Sequence, residues 1–193
     1  MSRSREFDLD VAIDAALRVF WHKGFEGTSL TDLTEALGIN RPSLYAAFGS
    51  KEGLFLRVID RYVTGPAAAV TAALHAATAR EVAKNMMRFY ADAAGEPDRP
   101  RGCLLVQGAL VSGDDGESMK QALADRSQLV EAALVTRFEQ ARRDGDLPKE
   151  AKPADLARYV WTMCNGLAVQ AVRGATRDQL RRVADVAMRA WPH

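Results

Sequence analysis

Ser29-Leu30-Thr31-Asp32-Leu33-Thr34-Glu35-Ala36-Leu37-Gly38-Ile39-Asn40-Arg41-Pro42-Ser43-Leu44-Tyr45-Ala46-Ala47-Phe48-Gly49-Ser50-Lys51 decides the fold. In its first half Leu30, Leu33 and Leu37 share one helical face, Ser29 and Asp32 stand in the S-x-x-D pattern of a capping box, and Gly38 is the stop. In the second half Asn40 is the cap, Leu44 and Phe48 face inward, and Ile39 and Leu44 hold the two positions of a hydrophobic staple. Helices over 29–37 and 41–48, joined by Gly38-Ile39-Asn40, form a helix-turn-helix. The second helix of such a pair enters the DNA major groove. Opposite Leu44 and Phe48 it shows Arg41, Pro42, Ser43, Tyr45 and Ala46. An outward tyrosine among small residues suits packing on a sugar-phosphate wall while its neighbours let the helix sit deep.

Upstream, Leu9, Ile13, Ala16, Leu17 and Phe20 recur at helical spacing over 9–23, with Asp8 as N-cap and Gly24 as stop. Downstream, Ser50 caps a fourth helix from Lys51 to about Thr64, and Gly65-Pro66 ends or kinks it. An alanine-rich helix follows to about Ala77. The remaining helices are predicted near 79–94, 103–112, 117–144, 154–173 and 177–190, separated by glycine- and proline-bearing breaks. One of those breaks, Gly113-Asp114-Asp115-Gly116, is too short for a calcium loop and reads as a turn. No strand pattern competes, so the fold class is all-α.

The charges bear on partners. Net charge is +1, and the first 60 residues hold seven Lys/Arg against nine Asp/Glu, so a DNA reader must concentrate a few cations on one face. Lys51 is the candidate. It stands in the first turn of its helix, where the helix dipole disfavours a cation by about 0.3–1 kcal/mol. Two readings are open: a solvated lysine tolerating that cost, or one held for an external phosphate. Arg3 and Arg5 form either a minor-groove arm or an unordered basic start.

The runs Gly24-Phe25-Glu26-Gly27-Thr28-Ser29-Leu30-Thr31-Asp32-Leu33, Ala36-Leu37-Gly38-Ile39 and Ser43-Leu44-Tyr45-Ala46-Ala47-Phe48-Gly49-Ser50-Lys51-Glu52-Gly53-Leu54-Phe55 resemble the TetR family of bacterial repressors. The resemblance covers about residues 9–60. It implies a helix-turn-helix DNA-binding domain, taken as residues 1–50, on an all-α ligand-binding and dimerisation domain, taken as 51–193. It implies a homodimer on a palindromic double-stranded operator and release by a small-molecule effector. Carried onto this chain, Thr28 and Ser29 would reach phosphate, Arg41, Pro42, Ser43, Tyr45 and Ala46 would face the groove, and Lys51 would hold a phosphate. Ala47 departs from the histidine or other polar residue the family often carries there, so any contact from that position is absent.

Beyond residue 60 the likeness thins, except at Arg101-Gly102-Cys103-Leu104-Leu105-Val106, which resembles a Gly-Cys-Leu-Leu signature of one TetR subgroup. That resemblance implies a cysteine responsive to oxidants or electrophiles. A thiol at a helix start, with Arg99 and Arg101 nearby in sequence, has the setting for added thiolate character. The alternative is a small buried hydrophobe, and this is the reading for Cys164. Met86, Met87, Phe89 and Tyr90, with Trp161 and Asn165, are candidates to line an effector cavity or simply to form core. Leu156, Val160, Met163, Leu167 and Ala171, with Leu180, Val183, Ala187 and Trp191, form stripes suited to a two-fold helical seam.

Other functions find no support. His22, His75 and His193 share no metal spacing, no nucleophile elbow or phosphate loop is present, and no cofactor is implied. Two cysteines build no disulfide framework, no apolar run reaches membrane-spanning length, and the start carries no apolar leader, so a cytoplasmic location is expected. A helical binding protein without DNA function is the remaining rival, and the outward Tyr45 and Lys51 speak against it. Repression rather than activation is implied by the resemblance alone.

Overall fold

The computed structural model describes residues 8–96, 100–111 and 117–192, and its regular structure there is entirely helical. In chain order the helices are α1 (Leu9–Lys23), α2 (Leu30–Leu37), α3 (Arg41–Phe48), α4 (Lys51–Thr64), α5 (Ala68–Ala73), α6 (Ala79–Ala93), α7 (Leu104–Val111), α8 (Glu117–Arg143), α9 (Pro153–Val172) and α10 (Arg177–Ala187), which runs into a 3-10 turn at Met188–Ala190. Arg3, Arg5, Arg99 and the Gly113–Gly116 turn lie outside the described residues.

Local chemistry sets the first four starts. Asp8 accepts from the backbone N–H groups of Asp10 and Val11. Ser29 and Asp32 close a full capping box, while Asn40 and Ser50 accept from Ser43 N–H and Gly53 N–H. Each such cap satisfies a donor that a helix start leaves open and contributes about 1 kcal/mol. Gly38, at φ 65°, ends α2 in the left-handed conformation that its turn into α3 requires. The alanine-rich α5 departs from expectation and stops at Ala73 rather than Ala77. Arg137 of α8 accounts for the early end: its guanidinium donates to the carbonyls of Leu74, Ala76 and Ala77, drawing them out of helical register.

Packing around α1 joins the helix-turn-helix to the rest. Leu33 of α2 and Leu44 of α3 are fully buried beside Phe20, Phe25 and Phe55, whose rings meet at 4.9 Å (Phe20–Phe55) and 5.0 Å (Phe25–Phe55). Truncating such a leucine to alanine costs about 2–5 kcal/mol. Leu9, placed on this face by its spacing, is instead 46% exposed. One buried cluster continues from here through α4 and α6 to Trp191.

The predicted dimer stripes are largely consumed inside the chain. Val160, Leu167, Ala171, Leu180, Ala187 and Trp191 are all buried, because α9 and α10 pack on α6 and on each other to cover its Val82, Met86, Met87 and Tyr90. Leu156 and Met163 are half-buried. Of the apolar stripe on α10 only Val183 stays exposed, joined by Val186, with Gly166 exposed on α9.

Candidate nucleic-acid interface and effector cleft

The outer face of α3 presents Arg41, Pro42, Ser43, Tyr45 and Ala46 to solvent, while Leu44 is fully buried beneath them. Tyr45 is 45% exposed, so its ring is available to a partner surface. Arg41 leans back towards α2, its Nη2 donating to Thr31 Oγ1 at 3.3 Å, which brings a cation over the seam between the two helices. Ser29 is exposed at the start of α2, with its hydroxyl inside the capping box.

Thr28 corrects the sequence reading. Its side chain is buried at 1% exposure and Oγ1 donates to the Gly24 carbonyl at 2.6 Å. It therefore closes the loop before α2 and shows no hydroxyl to the outside. Lys51 is half-buried with Nζ 4.3 Å from the centre of the Phe25 ring. Burial lowers its pKa from the ordinary value, against the upward pull of Glu26 and Glu52. The unfavourable dipole position thus has an internal counterpart in a cation–π contact of about 0.5–1 kcal/mol. Behind the recognition face, Lys23 of α1 grips Asp32 at 2.6 Å; that hydrogen bond and those from Ser29 hold the Asp32 carboxyl at a pKa of about 2.

The candidate effector residues divide. Met86 and Met87 are fully buried core, and Phe89 stacks edge-on against Tyr90 inside α6. None of these four lines either of the two cavities beside α7 and α9. Trp161 and Asn165 do line one. A cleft of 680 Å³ opens between α7, α8 and α9, with Leu105 and Val106, Leu123 and Ser127, and Trp161 and Asn165 on its three walls. Trp161 Nε1 donates to Ser127 Oγ at 2.9 Å, and its ring meets Tyr90 edge-on at 6.2 Å.

Cys103 sits just before α7, buried to 1%, where it accepts a hydrogen bond from Tyr62 Oη at 3.3 Å. It also lines a smaller hollow of 190 Å³ that shares Val106 and Val169 with the cleft. Gly102 makes the approach possible. It adopts φ 87°, and a Cβ there would lie 2.4 Å from Val172 Cγ2. Cys164 is fully buried in α9, and burial pushes its thiol pKa well up.

The last full turn of α4 binds three helices at once. Asp60 pairs with Arg126 of α8, Arg61 makes two 2.7 Å bonds to Asp14 of α1, and Tyr62 reaches Cys103 before α7. These partners were not found from the sequence, since each lies far along the chain and nothing local marks it.

A helix-turn-helix with an outward recognition face, tied through α4 to a larger helical body with an uncharged cleft, defines a DNA-binding regulator. Comparison with known proteins narrows the class. Residues 12–58 match the bacterial regulatory proteins of the tetR family, and residues 68–190 match the tetracyclin repressor-like C-terminal domain. The chain is 33% identical to the HTH-type transcriptional repressor ComR of Escherichia coli K12, over 98% of this chain and 91% of that one. It is 34% identical to the repressor BdcR of the same strain, over 96% and 89%. A cysteine variant of the TetR family regulator CifR, solved with a 26-base-pair operator duplex, superimposes with a TM-score of 0.93 at 38% identity, covering 98% of this chain and all of that one. This chain belongs to the TetR family of transcriptional regulators.

Proposed function

We propose that the protein is a repressor that occupies a palindromic operator as a homodimer and leaves it when its second domain takes up a small effector or when Cys103 is modified. The outward face of α3 carries this reading: five residues free of the core, with an exposed tyrosine at their centre, on a helix whose inner leucine is fully buried. Ser29, Arg41, Pro42, Ser43, Tyr45, Ala46 and Lys51 are the proposed DNA contacts. A division at residue 50 puts α4 in the second domain, where its three-way anchorage passes a change in α7 or α8 on to α1 and the recognition helix. ComR and BdcR bear the name of repressors, and the CifR structure contains operator DNA, which supports both the sign of control and the target. A cytoplasmic location goes with that target.

For the dimer, the exposed Val183 and Val186 of α10 form the proposed contact. For the thiol, the hydrogen bond from Tyr62 is the feature that favours a role in release. A group added to the Cys103 sulfur displaces Tyr62 Oη and so breaks this link between α4 and the start of α7. The test is a gel shift with the intergenic region upstream of the gene. A dimer-sized, saturable complex that competitor DNA fails to remove is expected. Equal binding to unrelated duplexes would overturn the reading.

A further inference from the structure

We propose that the cleft between α7, α8 and α9 is the effector site and that it takes an uncharged, largely apolar molecule carrying one hydrogen-bond donor, received by Asn165. The inference rests on the reading of the chain as an effector-released regulator and specifies where and what that effector is.

Three observations converge. The cleft measures 680 Å³, within the range of about 300–1,000 Å³ typical of small-molecule sites. None of its described lining residues is ionisable, so a charged ligand would leave water without a partner, at a large cost. Asn165 lines this cleft, and its Oδ1 is buried with no hydrogen-bond partner. A buried acceptor without a donor costs about 1–3 kcal/mol, and native structures carry few of them. The terminal torsion of an asparagine is soft, so a small rotation presents Oδ1 to a ligand donor. Trp161 cannot answer that acceptor, because its N–H is already given to Ser127. The indole therefore serves as an apolar wall held at a fixed angle.

The cleft also stands where occupancy can be felt. Leu105 and Val106 form its α7 wall, and two residues earlier Cys103 receives the Tyr62 hydroxyl of α4. On the α8 wall, Ser127 follows directly after Arg126, the partner of Asp60. A molecule that separates α7 from α8 thus pulls on two of the three anchors of α4.

The test uses the full chain and three probes of one shape: 1-naphthol, which is neutral with a donor; 1-methoxynaphthalene, which lacks the donor; and 1-naphthoate, which is charged. Calorimetric titration should give 1-naphthol the tightest binding, roughly three- to tenfold ahead of the ether, as one neutral hydrogen bond provides. Naphthoate should bind more weakly than either. Asn165→Leu should equalise naphthol and ether while keeping both bound, and Ala124→Trp, which fills the cleft, should remove both. Operator binding is measured on the same samples. If all three probes fail to bind a wild-type protein that shifts operator, or if Ala124→Trp still binds naphthol, the cleft proposal is overturned and the regulator reading stands. A dimer that leaves the cleft closed to the probes, because a second copy fills it, gives the first of those results. If the naphthol pattern appears in a protein that ignores operator, the cleft is right and the regulator reading falls.

Discussion

Replacing Lys51 by methionine separates two demands on one side chain. Methionine keeps a stem of similar length over the Phe25 ring, with a sulfur in place of the ammonium that lies 4.3 Å from the ring centre, and it removes the charge. The internal contact is a cation–π pair at a half-buried site, so its loss lowers stability by about 0.5–1 kcal/mol per protomer, partly offset by the sulfur–ring contact. The proposed external contact is a phosphate, and each one lost changes the slope of log K against log salt by about 0.9. A dimer carries two copies of Lys51, so the slope should become shallower by about 1.8. Between 50 and 200 mM salt the affinity deficit of the variant then shrinks roughly tenfold. Fluorescence anisotropy with labelled operator at four salt concentrations measures the slope, and urea denaturation measures the stability term. Parallel slopes for wild type and variant would refute the phosphate role and leave Lys51 as the partner of Phe25 alone.

Tyr45→Ala should weaken operator binding several-fold with unchanged helical circular dichroism, since the ring is 45% exposed and carries no core packing. Asp32 has its carboxyl pKa lowered from 3.8 to about 2 by Lys23 and Ser29, so it stabilises the fold above its unfolded value and loses that contribution as pH falls towards 2. The stability gap between wild type and Asp32→Asn, followed by urea denaturation, should therefore close over about pH 4 to 2 and stay constant from pH 5 to 7. A gap that persists at pH 2 would assign the effect to shape rather than charge. Under limited alkylation at neutral pH, mass spectrometry should find Cys103 modified before Cys164, whose pKa burial raises; the reverse order would return Cys103 to packing. Val183→Glu should shift the dimer towards monomer in sedimentation velocity while helical content holds, because Val183 is 45% exposed within one chain.

What could be read from the sequence was chemistry that closes within a few residues. Asp8, Ser29, Asn40 and Ser50 each satisfy a backbone donor two or three positions on, so the first four helices begin where their caps stand. The inward Leu33 and Leu44 and the outward Tyr45 follow from helical period alone. Capping boxes of the same local kind, not singled out above, start α6 at Thr78-x-x-Glu81 and α10 at Thr176-x-x-Gln179.

Tertiary structure decided which partner each face meets, because an apolar stripe states only that it must be covered and never by what. The stripes of α9 and α10 read as a seam between chains, yet most of their residues cover the core that α6 supplies. Met86, Met87 and Tyr90 read as cavity lining or as core and are buried in the core, while the cleft arose where α7, α8 and α9 fail to close around Asn165. Thr28 and Lys51 show the converse for polar groups. Each carries a group that suits a phosphate, yet the fold brings the Gly24 carbonyl to one and the Phe25 ring to the other. The link from Tyr62 to Cys103 likewise exists only in three dimensions, since no sequence rule relates a hydroxyl on one helix to a thiol that begins another.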